Sequence, residues 1–249
     1  MNSWANIKTI AKRELVAYFA SPLAYVFIVI FLLLCGFFTF SVKPNLFDRG
    51  QASLSGTFFF WHPWFYMFLV PAVGMRLWAE ERRVGTLELL LTMPITAWQA
   101  IVGKFLASWL FLGLALALTF PVVWTVNYLG TPDNGVIFAS YIGSWLMAGA
   151  YLAISCMTSA MTRTQVVSFI ISVVVCLFLI LAGFQPVVDF ISGFAGPKVV
   201  DFVTSFSVVT HFEGFQKGVL DSRDVLFFLS VIGFSLFTTG VILRSHRAG

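Results

Sequence analysis

Glu80, Glu81, Arg82, Arg83 and Glu88 fall within nine positions of a chain that carries little charge elsewhere. Acids and bases at this spacing suit ion pairing and polar docking better than catalysis, because no nucleophile or histidine stands among them. The histidines, His62, His211 and His246, are isolated from one another, and neither H-E-x-x-H nor G-x-S-x-G occurs. Gly103-Lys104 is followed by Phe105 with no glycine five residues upstream, so the chain lacks a phosphate-cradling loop. Cys35, Cys156 and Cys176 are far apart and form no CxxC pair, which points to buried free thiols. The expectation is a chain with no catalytic residues, no metal ligands and no resident cofactor.

Hydrophobic residues make up 59% of the 249 and charged residues only 10%, with a mean hydropathy of +0.92. A soluble domain carries about 25% charged residues. The fold class is therefore all-α integral membrane, since a lipid-exposed backbone must satisfy its own hydrogen bonds. Apolar runs of about 20 residues cross the hydrocarbon, and six are predicted, at about 22–42, 57–78, 100–127, 136–160, 166–186 and 225–244. Pro121 predicts a kink or early exit in the third. No small-residue cleavage motif follows the first run, which is expected to be a retained anchor.

Residues 3–20 form a basic amphipathic helix preceding the first span. Trp4, Ile7, Ile10, Ala11, Leu15, Tyr18 and Phe19 share one broad face, opposite Lys8, Lys12 and Arg13. A helix of this kind lies in the membrane interface with its cations near lipid headgroups; a cap packed on the bundle is the plainer alternative. Ser21-Pro22 ends it, and Pro22 opens the first span.

With the N-terminus inside, ten basic residues lie on the inner side: Lys8, Lys12, Arg13, Arg76, Arg82, Arg83, Lys104, Arg163, Arg244 and Arg247. Five lie outside: Lys43, Arg49, Lys198, Lys217 and Arg223. This asymmetry places both termini and the charged cluster in the cytoplasm. The aromatic run "FFFWHPWFYMF" fits an interfacial belt, with a stacking surface for an aromatic or lipid substrate as the sharper alternative. Residues 187–224 are too polar to span and too apolar for a free loop, so one or two short helices on the outer leaflet are expected. No internal repeat is apparent; residues 1–249 read as one membrane domain with no nucleic-acid partner.

The charged cluster continues the second span beyond the membrane edge, and Gly85 is a natural break because glycine takes positive φ cheaply. A short helix follows, "TLELLLT", with Leu87, Leu90 and Leu91 on one side and Glu88 beside them. Pro94 stops it and Thr96 can cap the next helix. Such a helix suits docking in a partner's groove, whereas a solvated hairpin would explain the arginines alone.

The stretch "AEERRVGTLELLLTMPITAWQAIVGKFLA" resembles the loop between spans two and three of ABC transporter permeases of the type-2 exporter class. Their pattern E-x-x-x-G-T-L-E-x-L-L-x-x-P is matched by Glu81, Gly85, Thr86, Leu87, Glu88 and Pro94. "AKRELVAYFASPLAYVF", "LGTPDNG" and "HFEGFQKGVLDSRDVLFFLS" resemble the family's opening, outer turn and last stretch, in the gliding-motility (GldF-like) branch. The resemblance implies that residues 81–95 form a coupling helix docking in an ATPase subunit. Glu81, Arg83, Gly85, Thr86, Leu87, Glu88, Leu90, Thr92 and Pro94 would serve that contact, with Glu81 and Arg83 bracing the end of span two. It also implies a multi-pass permease of the bacterial inner membrane that exports cargo using ATP and magnesium bound by the separate ATPase. Its other partners would be a second permease copy or paralogue, membrane lipids and an auxiliary extracytoplasmic (GldG-like) subunit. The alternatives are a permease of the copper-site-assembly type, which Met and His clustering does not support, and an intramembrane lipid-processing enzyme, for which no paired acid and base is visible.

Overall fold

Every element among the described residues of the computed structural model is a helix; these residues are 3–43, 46–48, 50, 52–86, 96–194 and 196–245. The chain runs α1 (Ser3–Ala20), α2 (Pro22–Phe40), a 3-10 turn (Phe59–Trp61), α3 (His62–Gly74), α4 (Arg76–Val84) and α5 (Ala97–Ala117). It continues through α6 (Phe120–Leu129), α7 (Asn134–Met161), α8 (Gln165–Leu181), α9 (Gln185–Ser192), α10 (Pro197–Thr204), α11 (Val208–Gln216) and α12 (Ser222–Ser245).

Local chemistry sets several of these boundaries. Ser21 accepts from the Leu23 N–H and Pro22 takes the first turn of α2, where its missing N–H leaves no bond unmade. Thr96 and Gln99 form a reciprocal capping box at the start of α5. The Asp133 carboxylate accepts from the Gly135 and Val136 N–H groups to open α7.

Among the described residues, four stretches are long and apolar enough to cross a membrane: Pro22–Phe40, Ala97–Leu129, Asn134–Met161 and Ser222–Ser245. The pair α8 and α9 passes the same test jointly but bends by 68° between them. The apolar run 57–78, expected as one span, is divided instead. It holds the 3-10 turn, the 13-residue α3 and the start of α4, with Met75 a turn residue at the joint that keeps right-handed helical angles. Pro71 lies one turn before that joint and has no N–H to give to the helix.

The centre of the bundle is α7, which touches α3, α4, α5, α8, α11 and α12. Ser140, Gly143, Ser144, Ala148, Gly149, Ala153, Ser155 and Ser159 are buried along it. Small residues let helix backbones approach closely where lipid offers no hydrophobic drive for association. The α1 helix lies along the first half of α5. Ile10 meets Gly103, Tyr18 hydrogen-bonds Ser108 at 2.9 Å, and Asn6 and Ser3 both contact Gln99. Lys8, Lys12 and Arg13 are exposed on its far side. Trp4, counted above with the apolar face, is 78% exposed.

Candidate functional site

The charged cluster lies on α4 and is tied to its surroundings by two ionic groups that point in different directions. Glu80, Arg76 and Arg83 share one face at helical spacing. The Glu80 carboxylate accepts from Arg76 Nε at 3.2 Å, from Arg83 Nη2 at 3.4 Å and from Gln165 Nε2 on α8 at 3.0 Å. The Arg76, Glu80 and Arg83 side chains are each at least one third exposed, so each pair adds little stability by itself.

The second group is buried. The ammonium of Lys104 on α5 reaches Glu81 at 3.0 Å and Glu14 on α1 at 3.3 Å, and lies 5.6 Å from the Trp78 ring centroid. Its side chain is 5% exposed. One lysine thus joins α1, α4 and α5. The other oxygen of Glu81 accepts from the Thr86 hydroxyl, just past the end of α4. Burial pushes the Glu81 carboxyl up, but Lys104 and the Thr86 bond together outweigh it and hold it below the usual carboxylate range. A cleft of about 180 Å³ opens beside this junction, lined by Glu14, Tyr18, Arg76, Glu80, Glu81 and Lys104 among others.

Gly85 ends α4 with φ +76 and ψ 13, and its N–H donates to the Arg82 carbonyl at 3.3 Å. A Cβ there would meet nothing within 4 Å among the described residues, so its glycine character answers to the left-handed backbone. Arg82 faces the other way. Its Nε and Nη2 are buried without a hydrogen-bond partner among the described residues, and burial together with nearby Arg163 lowers its pKa.

Of the residues singled out in the sequence, Glu81, Gly85 and Thr86 come together at the end of α4. Arg83 points away, paired to Glu80 and 65% exposed. Leu87, Glu88, Leu90, Thr92 and Pro94 lie outside the described residues. Lys104, Glu14 and Gln165 belong to the site and were not picked out as site residues, and Glu80 was named only as a member of the charged cluster. A signal for Lys104 existed: a lysine a few residues into an apolar run needs a partner.

Two other polar groups lie elsewhere. His62, on α3, contacts the Ser144 hydroxyl at 2.8 Å, and Tyr66 contacts the same hydroxyl at 2.9 Å. His211, on α11, pairs with Asp224 on α12 at 2.7 Å. Neither stands near the α4 cluster in these contacts. The paired charges around α4 suit a mechanical joint: they tie the end of α4 to α1, α5 and α8.

A family model described as ABC-2 family transporter protein matches residues 64–221, more than half of the chain and including all of α4. No curated protein matches the sequence.

Proposed function

The chain belongs to the ABC-2 transporter family, and on that premise we propose that it is the permease subunit of an ATP-driven exporter of the gliding-motility branch. The observation that carries the permease part of this reading is the family match over residues 64–221, which takes in the charged cluster and the loop after it; the branch and the direction of transport rest on the sequence resemblance. A separate ATPase docks on residues 81–95 from the cytoplasm and binds the ATP and magnesium. Gly85, in its left-handed turn, ends α4 ahead of the docking segment, and Glu81 holds Thr86 at the start of that segment.

In this reading the bundle has six spans in the inner membrane and both termini in the cytoplasm. α3 with α4 is the second span and the bent pair α8 and α9 is the fifth. α1 lies at the inner interface, with Lys8, Lys12 and Arg13 toward lipid headgroups. Two permease chains work with two ATPases, and closure of the ATPases pushes the coupling loop. The permease responds only as far as its two states differ in affinity for the nucleotide-loaded engine.

The test is co-purification with the ATPase and ATP turnover of the complex in nanodiscs. Glu88→Lys would place like charge in a desolvated contact and cost about 2–5 kcal/mol of association. Wild-type assembly and turnover in that variant would mean that the loop is only a solvated hairpin.

A further inference from the structure

The break between α3 and α4 is filled by a side chain from another helix. Ser159 of α7 accepts from the Trp78 N–H and the Ala79 N–H, both at 3.0 Å, and donates to the Met75 carbonyl at 2.8 Å. A hydroxyl has one proton to give and two lone pairs to offer, so this one is fully used. A side chain inserted into the helical hydrogen-bond ladder is one of the few ways in which a helix is locally opened. In an uninterrupted helix the Trp78 N–H would donate to Gly74 instead.

The neighbouring contacts make the same connection. A Cβ on Gly74 would lie 2.3 Å from the Ser155 Cβ, so the end of α3 is pressed directly on α7. The Trp78 indole N–H donates to Cys156 Sγ at 3.2 Å. One stretch of α7, holding Ser155, Cys156 and Ser159, therefore grips residues 74–79 on both sides of the joint.

We propose that Ser159 is a positioning residue for the coupling arm: its hydroxyl replaces the helix's own bonds at Met75, so that α4 is carried by α7 and pivots relative to α3. This rests on the permease reading for its purpose, though the tether itself does not depend on it. A push on the loop after Gly85 then reaches α7, the central helix, through Ser159 and Trp78. It runs less directly up the second span, because Ser159 enters the hydrogen-bond ladder of that span between Met75 and Ala79. A hinge of this kind needs only one or two positions to absorb the change in backbone angles.

The tether is read first by hydrogen exchange on the full chain in nanodiscs, with no ATPase present. Ser159→Ala should raise exchange in the peptide covering residues 76–84 by about tenfold, because two amides lose their acceptor. Ser159→Thr, which keeps the hydroxyl, should restore slow exchange. Should Ser159→Ala not accumulate, Ser159→Cys gives the same comparison, a thiol being a weaker acceptor and donor.

The pivot is read by spin labels at exposed positions, paired Val84 with Phe68 on α3 and Val84 with Met161 on α7. The native thiols are buried and stay unlabelled. In the complex with the co-purifying ATPase, a non-hydrolysable ATP analogue should shift the first distance and leave the second unchanged. Ser159→Ala should broaden the second. Unchanged exchange in Ser159→Ala, or a nucleotide shift as large in the Val84–Met161 pair as in the Val84–Phe68 pair, would overturn the proposal. Failure of any ATPase to co-purify would count against the permease reading alone, since the exchange arm still decides whether Ser159 holds the joint.

Discussion

Trp109 on α5 and Trp145 on α7 hold each other in a reciprocal clasp. Their rings stack with centroids 4.3 Å apart and planes 15° from parallel. The Trp109 indole N–H donates to the Trp145 carbonyl at 2.9 Å, and the Trp145 indole N–H to the Trp109 carbonyl at 3.3 Å. Each carbonyl can take this bond on its second lone pair without leaving its own helix. The approach is possible because the residue one turn on is glycine in both helices. A Cβ on Gly113 would lie 2.8 Å from the Trp145 Nε1, and one on Gly149 would lie 2.7 Å from the Trp109 Nε1.

Gly149→Ala should therefore destabilise the bundle although alanine favours helix. Overpacking against a stacked indole costs about 1–3 kcal/mol, against a propensity gain of about 1 kcal/mol. Trp109→Phe removes one indole bond and should lower stability by a similar amount. Thermal unfolding of the purified chain in detergent measures both. Unchanged midpoints would show that the clasp does not stabilise α5 against α7.

Gly85→Ala tests the turn at the end of α4. No atom of the described residues obstructs the new methyl group, so the penalty is the backbone's, about 1–2 kcal/mol for the left-handed region. The variant should insert and fold, since the turn lies at the end of α4, while assembly with the ATPase falls. Full assembly at wild-type affinity would show that docking does not depend on this turn.

Lys104→Met should be the most damaging single change at the charged junction. It leaves Glu81 and Glu14 facing each other without their common cation, at a cost of about 3 kcal/mol for a largely buried pair. The wild-type pair also has an acid signature. Because the folded state holds the Glu81 carboxyl below its ordinary value, its contribution is complete above the unfolded carboxylate pKa. That contribution is lost as pH falls through the lower folded value. Unfolding followed from pH 7 down to about 3 should show a steeper acid loss in wild type than in Glu81→Gln. Parallel profiles would mean that the Lys104–Glu81 pair adds nothing to folding.

The topology follows from the basic asymmetry. Asn134→Cys, at the exposed start of α7, should react with an impermeant thiol reagent applied to intact cells. Arg83→Cys should react only after the membrane is opened. Labelling at position 83 from outside would reverse the orientation.

What the sequence made legible was local. Thr96 with Gln99, Ser21 with Pro22 and Gly85 act within a few residues of themselves, so their roles as caps and break can be read from spacing. The joint at Met75 could not be read in this way, because the serine that fills it stands 84 residues away. Lys104 is 23 residues from Glu81, and its second partner is on another helix. Trp109–Gly113 and Trp145–Gly149 do share the spelling W-L-x-x-G. That pattern acquires meaning only when the two helices face each other.

The burial of α7 has a consequence for how the protein is made. Of the four stretches suited to crossing the membrane it is the least apolar, and it is also the one most enclosed by the rest of the chain. A helix lined with serines and glycines gains little by partitioning into lipid alone. During synthesis it emerges after α3, α4 and α5, which offer it Trp109 and the amides at residues 78–79, but before α8, α11 and α12, of which α12 packs on it most extensively. Its residence beside the insertion machinery should end when α12 arrives, so truncation ahead of Ser222 should leave α7 open to quality-control proteases while the earlier helices stay inserted.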